Sequence, residues 1–214
     1  MSNFVVLLRA DLLLSSSWSR RARRFPRTET QTMRSLKQLL FGGITRTPLA
    51  ENRSLYPMTI QGRGGEQIDL SRYRGKAVLI VNTASKCGFT KQYDDLEALF
   101  KKYAEDGLTI IGFPSNDFAS QEPGSDSDIE SFCRVNHGVT FELFPKAPVT
   151  GDAIQPFFKA LTTQGPSDLR GKVMWNFEKF LLDKEGRLVG RWRSWVKPSW
   201  SLFERAIRRV ATGG

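Results

Sequence analysis

The 214-residue chain has few cysteines and histidines, the residues that form the disulfides of small secreted domains and bind metal ions. It has two cysteines, Cys87 and Cys133, and one histidine, His137. Two cysteines in a chain of this length do not form the dense disulfide framework of a small scaffold. Their separation of 46 positions is neither a Cys-x-x-Cys motif nor close zinc-ligand spacing. We therefore expect no metal and no cofactor, and we predict that His137 is an ordinary loop residue.

The sequence also has no apolar run long enough to span a bilayer and no internal repeat, so we expect no stable membrane insertion. From residue 55 onward, strand and helix patterns alternate. Buried strands are predicted at 77–81, 108–112 and 178–182, and two hairpins at 56–70 and 180–192. Helices are predicted at 91–104, 126–135, 154–162 and 199–210. In the last helix, the residues expected to face the core are Leu202, Phe203, Ala206, Ile207 and Val210.

Cys87 lies where a buried strand is predicted to turn into a helix, in the run NTASKCGFT at 82–90. At such a junction the sulfur is near unpaired backbone N–H groups and the positive end of the helix dipole, which favour a thiolate. Gly88 and Thr90 suit a tight turn and a helix cap. A reactive cysteine is the first hypothesis. The alternative is a buried thiol that acts as a small hydrophobe.

Two further runs accompany this turn: FPSNDFASQEPGS at 113–125 follows a predicted strand, and WNF at 175–177 precedes another. Together with NTASKCGFT, these runs resemble the signature blocks of the glutathione peroxidase family, in the same order, over about residues 55–210. The resemblance implies an α/β chain with a thioredoxin-like fold, in which a central mixed β-sheet is flanked by helices and preceded by an N-terminal β-hairpin.

By this resemblance Cys87 is the peroxidatic residue, and Gln121, Trp175 and Asn176 complete its catalytic tetrad. The substrates implied are hydrogen peroxide and organic or lipid hydroperoxides, and the sulfur becomes a sulfenic acid as it takes one peroxide oxygen. The side-chain N–H groups of the other three residues are neutral donors suited to the negative charge that moves through the site. Without the resemblance, each has a plainer explanation as a packing or loop residue.

Cys133 lies in the run IESFCRVNHGVTF at 129–141, which resembles the resolving-cysteine segment of the thioredoxin-dependent, non-selenium branch, closest in look to bacterial members. This implies a Cys87–Cys133 disulfide that thioredoxin opens, after local unwinding of the helix around Cys133. Three alternatives stay open. Glutathione reduces Cys87 directly, Cys87 serves as a peroxide sensor that passes its oxidation to a partner, or the chain is a thioredoxin-fold binding protein with an inert thiol.

The chain departs from the family pattern at 113–119, where many members read FPCNQFG and this sequence reads FPSNDFA. Ser115, Asp117 and Ala119 thus stand where a cysteine, a glutamine and a glycine are common, and none of the three belongs to the tetrad. Ser115 leaves Cys133 as the only intramolecular disulfide partner for Cys87. The segment 151–174 lacks the insertion that resembles a subunit-contact loop in tetrameric members, so we expect a monomer.

The net charge of +10 arises mostly from residues 1–50, where nine basic residues face two acidic ones. The arginine cluster at 20–24 and the neighbouring serines resemble an organelle transit peptide, and 33–41 has the pattern of a second amphipathic piece. A nucleic-acid-binding tail would lack the rest of a binding fold. Translation from Met33 is the alternative. We therefore predict a basic extension at 1–50, which is either disordered or a targeting segment, and one domain at 51–214. The protein is expected in the cytoplasm if it is bacterial, or in a mitochondrion or other organelle if residues 1–50 are a transit peptide.

Overall fold

The computed structural model describes residues 41–45 and 52–213. Its strands are β1 (Gly42–Ile44), β2 (Thr59–Gln61), β3 (Gln67–Asp69), β4 (Ala77–Thr83), β5 (Leu108–Pro114), β6 (Glu142–Leu143), β7 (Lys179–Leu182) and β8 (Leu188–Trp192). Its helices are α1 (Gln92–Tyr103), α2 (Asp126–His137), α3 (Pro156–Thr163) and α4 (Ser201–Thr212), and a short 3-10 helix covers Leu70–Tyr73.

Six strands form one mixed sheet in the order β1-β8-β7-β4-β5-β6. Strand β5 runs parallel to both β4 and β6, and the other neighbouring pairs are antiparallel. Every residue of β4 is buried. A continuous apolar strand of this kind requires cover on both faces of the sheet, because successive side chains point to opposite sides.

Two apolar cores provide that cover. Helices α1, α2 and α4 pack on one face of the sheet, where the buried side chains include Tyr93, Ile129, Phe203 and Ile207. Helix α3 and the β2–β3 hairpin pack on the other face, with Ile60, Phe157 and Phe158 among the buried side chains. The sheet with flanking helices and the N-terminal hairpin confirm the predicted architecture.

The differences from prediction are local. Strands β1 and β6, of three and two residues, were not predicted, because each pairs with a strand far from it in the sequence and neither belongs to a hairpin. His137 is not a loop residue: it ends α2, and its Nδ1 lies 2.7 Å from an Asp94 carboxylate oxygen. Leu202 is 74% exposed, so its assignment to the buried face of α4 is wrong. Position 202 lies in the first turn of α4, and Phe203, Ile207 and Ala211 supply its core contacts instead.

Strand β1 pairs with β8, with Gly43 opposite Arg191. These residues belong to the folded sheet although they precede residue 51. The predictions of a transit peptide, of a second amphipathic piece and of a start at Met33 otherwise concern residues outside the described ones. Within the described ranges, no helix has the length and apolar character needed to cross a membrane.

Candidate active site

The three sequence blocks meet at one edge of the sheet. Strands β4 and β5 are parallel, so their carboxyl ends, which lead to Cys87 and Gln121, lie side by side. Strand β7 is antiparallel to β4, with Val81 opposite Lys179, so the start of β7 lies beside the end of β4. The segment with Trp175 and Asn176 immediately precedes that start. Residues distant in sequence are thus brought to one place by strand order and direction.

The Cys87 turn is closed by the side chain of Thr90. The Thr90 hydroxyl accepts a hydrogen bond from the Cys87 N–H (3.0 Å) and donates one to the Ala84 carbonyl (2.9 Å). The predicted helix-capping role of Thr90 is therefore wrong, because its oxygen is engaged within the turn and α1 begins at Gln92 without a side-chain cap. The Phe89 N–H points at the Cys87 sulfur, 3.4 Å away. A partly exposed sulfur with a backbone donor is suited to nucleophilic chemistry.

Access to the turn is open on the side of Gly88. No atom outside its immediate chain neighbours lies within 4 Å of the position that a Cβ of Gly88 would occupy. Cys87 itself is partly exposed, although it packs against the apolar core. The turn is therefore open at the residue next to the sulfur.

Gln121 is joined to the Cys87 turn through the main chain, since the Lys86 N–H donates to the Gln121 carbonyl (3.0 Å). The two residues before it, Ala119 and Ser120, have positive φ angles of 53° and 52°. L-residues rarely adopt this conformation, and runs of it concentrate where surrounding contacts impose it. The strained pair turns the chain sharply and directs Gln121 back toward the end of β4.

Asn176 contacts Gln121 directly: its amide Nδ2 donates to the Gln121 Oε1 at 3.0 Å. Asn176 is fully buried, whereas Trp175 is 37% exposed, and the Trp175 ring lies against Phe118 with centroids 5.7 Å apart. Because the Gln121 oxygen accepts from Asn176, the Gln121 amide nitrogen is left to donate elsewhere, and it has no partner among the described residues. The structure thus brings two of the predicted donors into contact and places the third beside them.

Cys133 lies in a different environment, on the buried side of α2 with no exposed surface. Burial raises the pKa of its thiol to about 11, and the hydroxyl of Tyr93 partly opposes that rise. Both cysteines are free thiols, and Cys87 packs against the apolar core to which Cys133 belongs. At neutral pH the protonated thiol is therefore the dominant form of Cys133 in the folded protein.

Sequence reasoning missed the charged groups that support the site. The Glu178 carboxylate is fully buried and is bonded by the guanidinium groups of Arg191 (2.7 and 2.9 Å) and Arg193 (3.0 Å). It also accepts the Met174 N–H at 2.8 Å. This cluster braces the segment that includes Trp175 and Asn176. Its signal in the sequence is acidic and basic residues within or next to otherwise apolar strands, because buried charges require partners.

A second missed group is Lys179, the first residue of β7. Its ammonium donates to the Gln92 side chain and to the carbonyls of Ser194 (3.1 Å) and Val196 (2.7 Å). Burial lowers the pKa of Lys179 to about 7. The contacts pin the loop after β8 to the first residue of α1 and so fix the helix that follows the Cys87 turn.

A third missed residue is Glu122, which follows Gln121 and is 1% exposed. Burial raises the pKa of its carboxyl, while Ser85 and the charges of Lys146 and Lys86 act in the opposite direction. The carboxyl interacts with Ser85, two residues before Cys87, and its negative charge also contributes to the raised pKa of Cys133. In the described part of the chain, no group of three or more His, Cys, Asp or Glu side chains is arranged to hold a metal ion.

The arrangement is that of a thioredoxin-like fold with a cysteine at the carboxyl end of a central strand, which defines the class of thiol-dependent oxidoreductases. A thioredoxin family protein from Chlorobium tepidum has this fold, with a TM-score of 0.50 at 16% identity over 72% of this chain and 92% of the other. The crystal structure of Trgpx in its apo form has a TM-score of 0.60 at 34% identity, over 74% of this chain and 95% of the other.

Residues 55–162 match the glutathione peroxidase family. A glutathione peroxidase-like peroxiredoxin of Saccharomyces cerevisiae is 50% identical over 151 residues, covering 70% of this chain and 91% of the relative. A hydroperoxy fatty acid reductase of Synechocystis is 43% identical over 153 residues, covering 69% and 90%. The chain belongs to the glutathione peroxidase family. It is a thiol peroxidase.

Proposed function

We propose that Cys87 is the peroxidatic residue and that Gln121, Trp175 and Asn176 are its hydrogen-bond donors. The Cys87 thiolate attacks one peroxide oxygen, the O–O bond breaks, and the other oxygen leaves as alkoxide or hydroxide and takes up a proton. The sulfur is oxidised to the sulfenic acid while the peroxide is reduced to alcohol or water. The observation that supports this proposal is the convergence of the Cys87 turn with the Gln121–Asn176 pair at one sheet edge.

The substrates we propose are hydrogen peroxide and organic or lipid hydroperoxides. The open side of the turn at Gly88 supports a substrate with a bulky tail, because no side chain closes it. The Trp175 ring, which is 37% exposed and lies against Phe118, supplies an apolar surface in the candidate site. The Synechocystis relative, a hydroperoxy fatty acid reductase, supports the same class of substrate.

We propose that Cys133 is the resolving residue. Its sulfur attacks Cys87, the sulfenic hydroxyl leaves as water with the thiol proton of Cys133, and a disulfide forms. Of the twelve residues of α2, only Ile129 and Cys133 are buried. An element with so little buried apolar surface opens at low cost, which supports local unwinding of α2 as the step that exposes the sulfur. A dithiol protein such as thioredoxin then reduces the disulfide, and the chain works as a monomer.

The test measures peroxide turnover by two cysteine variants, with either thioredoxin or glutathione as the reductant. Cys87→Ser should lose peroxidase activity to background, because a serine hydroxyl hardly ionises at neutral pH. Cys133→Ser should oxidise once at the normal rate and then stop as the sulfenic acid, with thioredoxin-supported cycling lost. Sustained cycling of Cys133→Ser with glutathione would favour glutathione as the direct reductant. Turnover of the parent only after addition of a further oxidisable protein would indicate a peroxide sensor.

The donors are tested by Gln121→Ala and Trp175→Phe. Removing one preorganised donor from an anion-stabilising site costs roughly 10²- to 10³-fold in rate. We expect a loss of that order in stopped-flow oxidation of Cys87 by hydrogen peroxide, with disulfide reduction by thioredoxin unchanged. Oxidation rates equal to the parent in both variants would remove these residues from the mechanism.

A further inference from the structure

Asn82 holds the segment that contains two of the proposed donors. It is the next-to-last residue of β4, is fully buried, and stands five positions before Cys87. Its main-chain carbonyl accepts the Phe177 N–H at 2.6 Å. Its side-chain Oδ1 accepts the Glu178 N–H at 3.0 Å, and its Nδ2 donates to the Trp175 carbonyl at 3.1 Å. One residue therefore bonds the chain on both sides of Asn176.

The side chain is needed because the strand ladder stops at this point. Regular pairing of β7 with β4 ends where Lys179 lies opposite Val81. Phe177, two residues earlier, has a φ of 64°, so the chain turns away from the extended geometry that a ladder requires. An asparagine amide offers both an acceptor and donors, so it can pair a backbone N–H and a backbone carbonyl at once.

We propose that Asn82 is a positioning residue for the oxidation of Cys87, acting through Trp175 and Asn176. Strand β4 leads directly into the Cys87 turn, and Asn82 bonds the donor segment to the end of that strand. The nucleophile and its donors are thus fixed to one rigid element, which is what preorganised stabilisation of developing charge requires. This inference rests on the proposed roles of Trp175 and Asn176.

The surrounding structure makes the effect of a substitution local. The Glu178 carboxylate accepts the Met174 N–H and is itself held by Arg191 and Arg193, and none of these hydrogen bonds involves the Asn82 side chain. The backbone bond from Phe177 to the Asn82 carbonyl also persists in any variant at position 82. Loss of the amide should therefore leave the segment folded but free to shift, which changes the direction of the Trp175 indole.

The test uses Asn82→Asp, which keeps the acceptor and removes the donor to Trp175, and Asn82→Ala, which removes both without burying a charge. Asn52→Ala is the matched control, because Asn52 is also buried and its amide donates to the backbone carbonyl of Leu188 at 2.6 Å. For each variant we would measure oxidation of Cys87 by hydrogen peroxide and alkylation of Cys87 by iodoacetamide, with the peptide resolved by mass spectrometry. Alkylation needs the sulfur but not the donors, so it reports on structural damage to the turn.

We expect oxidation to fall by about 10- to 100-fold in both Asn82 variants, the scale of a displacement of about 1 Å. Alkylation and the Asn52→Ala control should stay close to the parent. In NMR spectra, the loss of one indole N–H signal in Trp175→Phe identifies that of Trp175. The chemical shift of this signal should change in Asn82→Asp, while that of Trp192 should not. In the Trp175→Phe background, Asn82→Asp should cost markedly less than in the parent, because coupled residues are not additive.

The inference would be overturned, with the proposed function intact, if the effects of Asn82→Asp and Trp175→Phe on the Cys87 oxidation rate were fully additive. It would also be overturned if both Asn82 variants oxidised at the parent rate while Trp175→Phe and Gln121→Ala oxidised slowly. An equal fall in oxidation and alkylation would show that Asn82 merely supports the fold. Normal oxidation in Trp175→Phe and Gln121→Ala would instead refute the donor roles, and with them the inference.

Discussion

The two cysteines sit in regions of opposite character. Around Cys87 the chain is tightly bonded, by the Thr90 hydroxyl within the turn and by the Lys179 ammonium behind it, yet the sulfur itself is partly exposed. Around Cys133 the sulfur is fully buried, yet the only other buried residue of its helix is Ile129, with Phe132 partly buried against the core. The first region holds a partly exposed sulfur in a closely bonded turn, and the second holds a buried sulfur on a helix that we propose opens to expose it.

The difference teaches how one chain can use two thiols in sequence. An attacking thiol must be accessible at all times and held near its donors, since misplacement lowers the rate. A resolving thiol must stay protected until the sulfenic acid has formed. Burial protects Cys133 because it raises the pKa of the thiol, and the thiolate is the reactive form.

Alkylation should show the largest contrast between the two regions. The pKa of Cys133 is raised from its ordinary value of 9.0 to about 11. At neutral pH this lowers its thiolate population by about a hundredfold, in addition to the steric block of burial. We expect iodoacetamide to label Cys87 at least that much faster than Cys133 in the folded protein, with the difference lost in denaturant. Comparable labelling of both cysteines in the folded state would contradict the comparison.

The two regions should also respond to alkali in opposite senses. The folded-state pKa of Lys179 lies near 7, below its ordinary value of 10.5, so between these two pH values the unfolded chain binds more protons than the folded one. The free energy of unfolding should then rise with pH by up to about 1.4 kcal/mol per unit. Cys133 acts in the opposite sense: between 9.0 and about 11 the folded state retains a proton that the unfolded state loses, so stability falls.

Denaturant titrations at several pH values in Lys179→Met and Cys133→Ser separate these two contributions. Between pH 7 and 9, Lys179→Met should lose the rise that the parent shows, and Cys133→Ser should keep it. An unchanged slope in Lys179→Met would mean that this ammonium is not the group responsible.

A smaller effect should follow from loosening α2 at its amino end. Ser125 caps the helix: its hydroxyl accepts the Asp128 N–H, and the Asp128 carboxylate accepts the Ser125 N–H. Loss of such a cap by Ser125→Ala costs about 1 kcal/mol, which would make opened α2 about fivefold more populated. Disulfide formation after oxidation should accelerate accordingly, while Cys87 oxidation stays constant. Ser131→Ala, at an exposed position of the same helix, is the control and should change neither rate.

The smallest effect concerns the strained turn before Gln121. Ala119 has a φ of 53° where the family pattern commonly has glycine, and glycine adopts this conformation without steric cost. Ala119→Gly should therefore raise the free energy of unfolding by about 0.5–1 kcal/mol. Ala98→Gly, in the middle of α1 and exposed, should lower it by about 1 kcal/mol. A fall in stability for both variants would show that Ala119 is not strained.

Much of the fold could be predicted because its patterns are long. Strand β4 comes from a long unbroken apolar run, and helix α1 from a helical pattern of several turns. In both, the pattern is long enough to indicate the type of element and which residues are buried. Strand β1 was not predicted, because it belongs to no hairpin and is a strand only through its pairing with the distant β8. The exposure of Leu202 was missed because an apolar residue at helical spacing does not reveal where the neighbouring elements end.

The candidate site divides in the same way. Cys87, Gln121, Trp175, Asn176 and Cys133 were named because their runs resemble signature blocks of the glutathione peroxidase family, and each run is local in the sequence. No run could reveal that Thr90 closes the turn, that Lys179 reaches the carbonyls of Ser194 and Val196, or that Glu178 pairs with Arg191. These contacts join residues that are separate in sequence, so they exist only once the strands are paired.

The sequence by itself determined the alternation of strands and helices, because that property resides in side-chain type and local period. It also supplied the runs whose resemblance to the family named the candidate site residues. The tertiary structure alone decided which cysteine is exposed and which is buried, and it alone let Asn82 bond Trp175 and Glu178. The physical reason is that solvent access and hydrogen-bond geometry depend on what packs from elsewhere in the chain. Strand order places the ends of β4 and β5 beside the start of β7, and the site forms there.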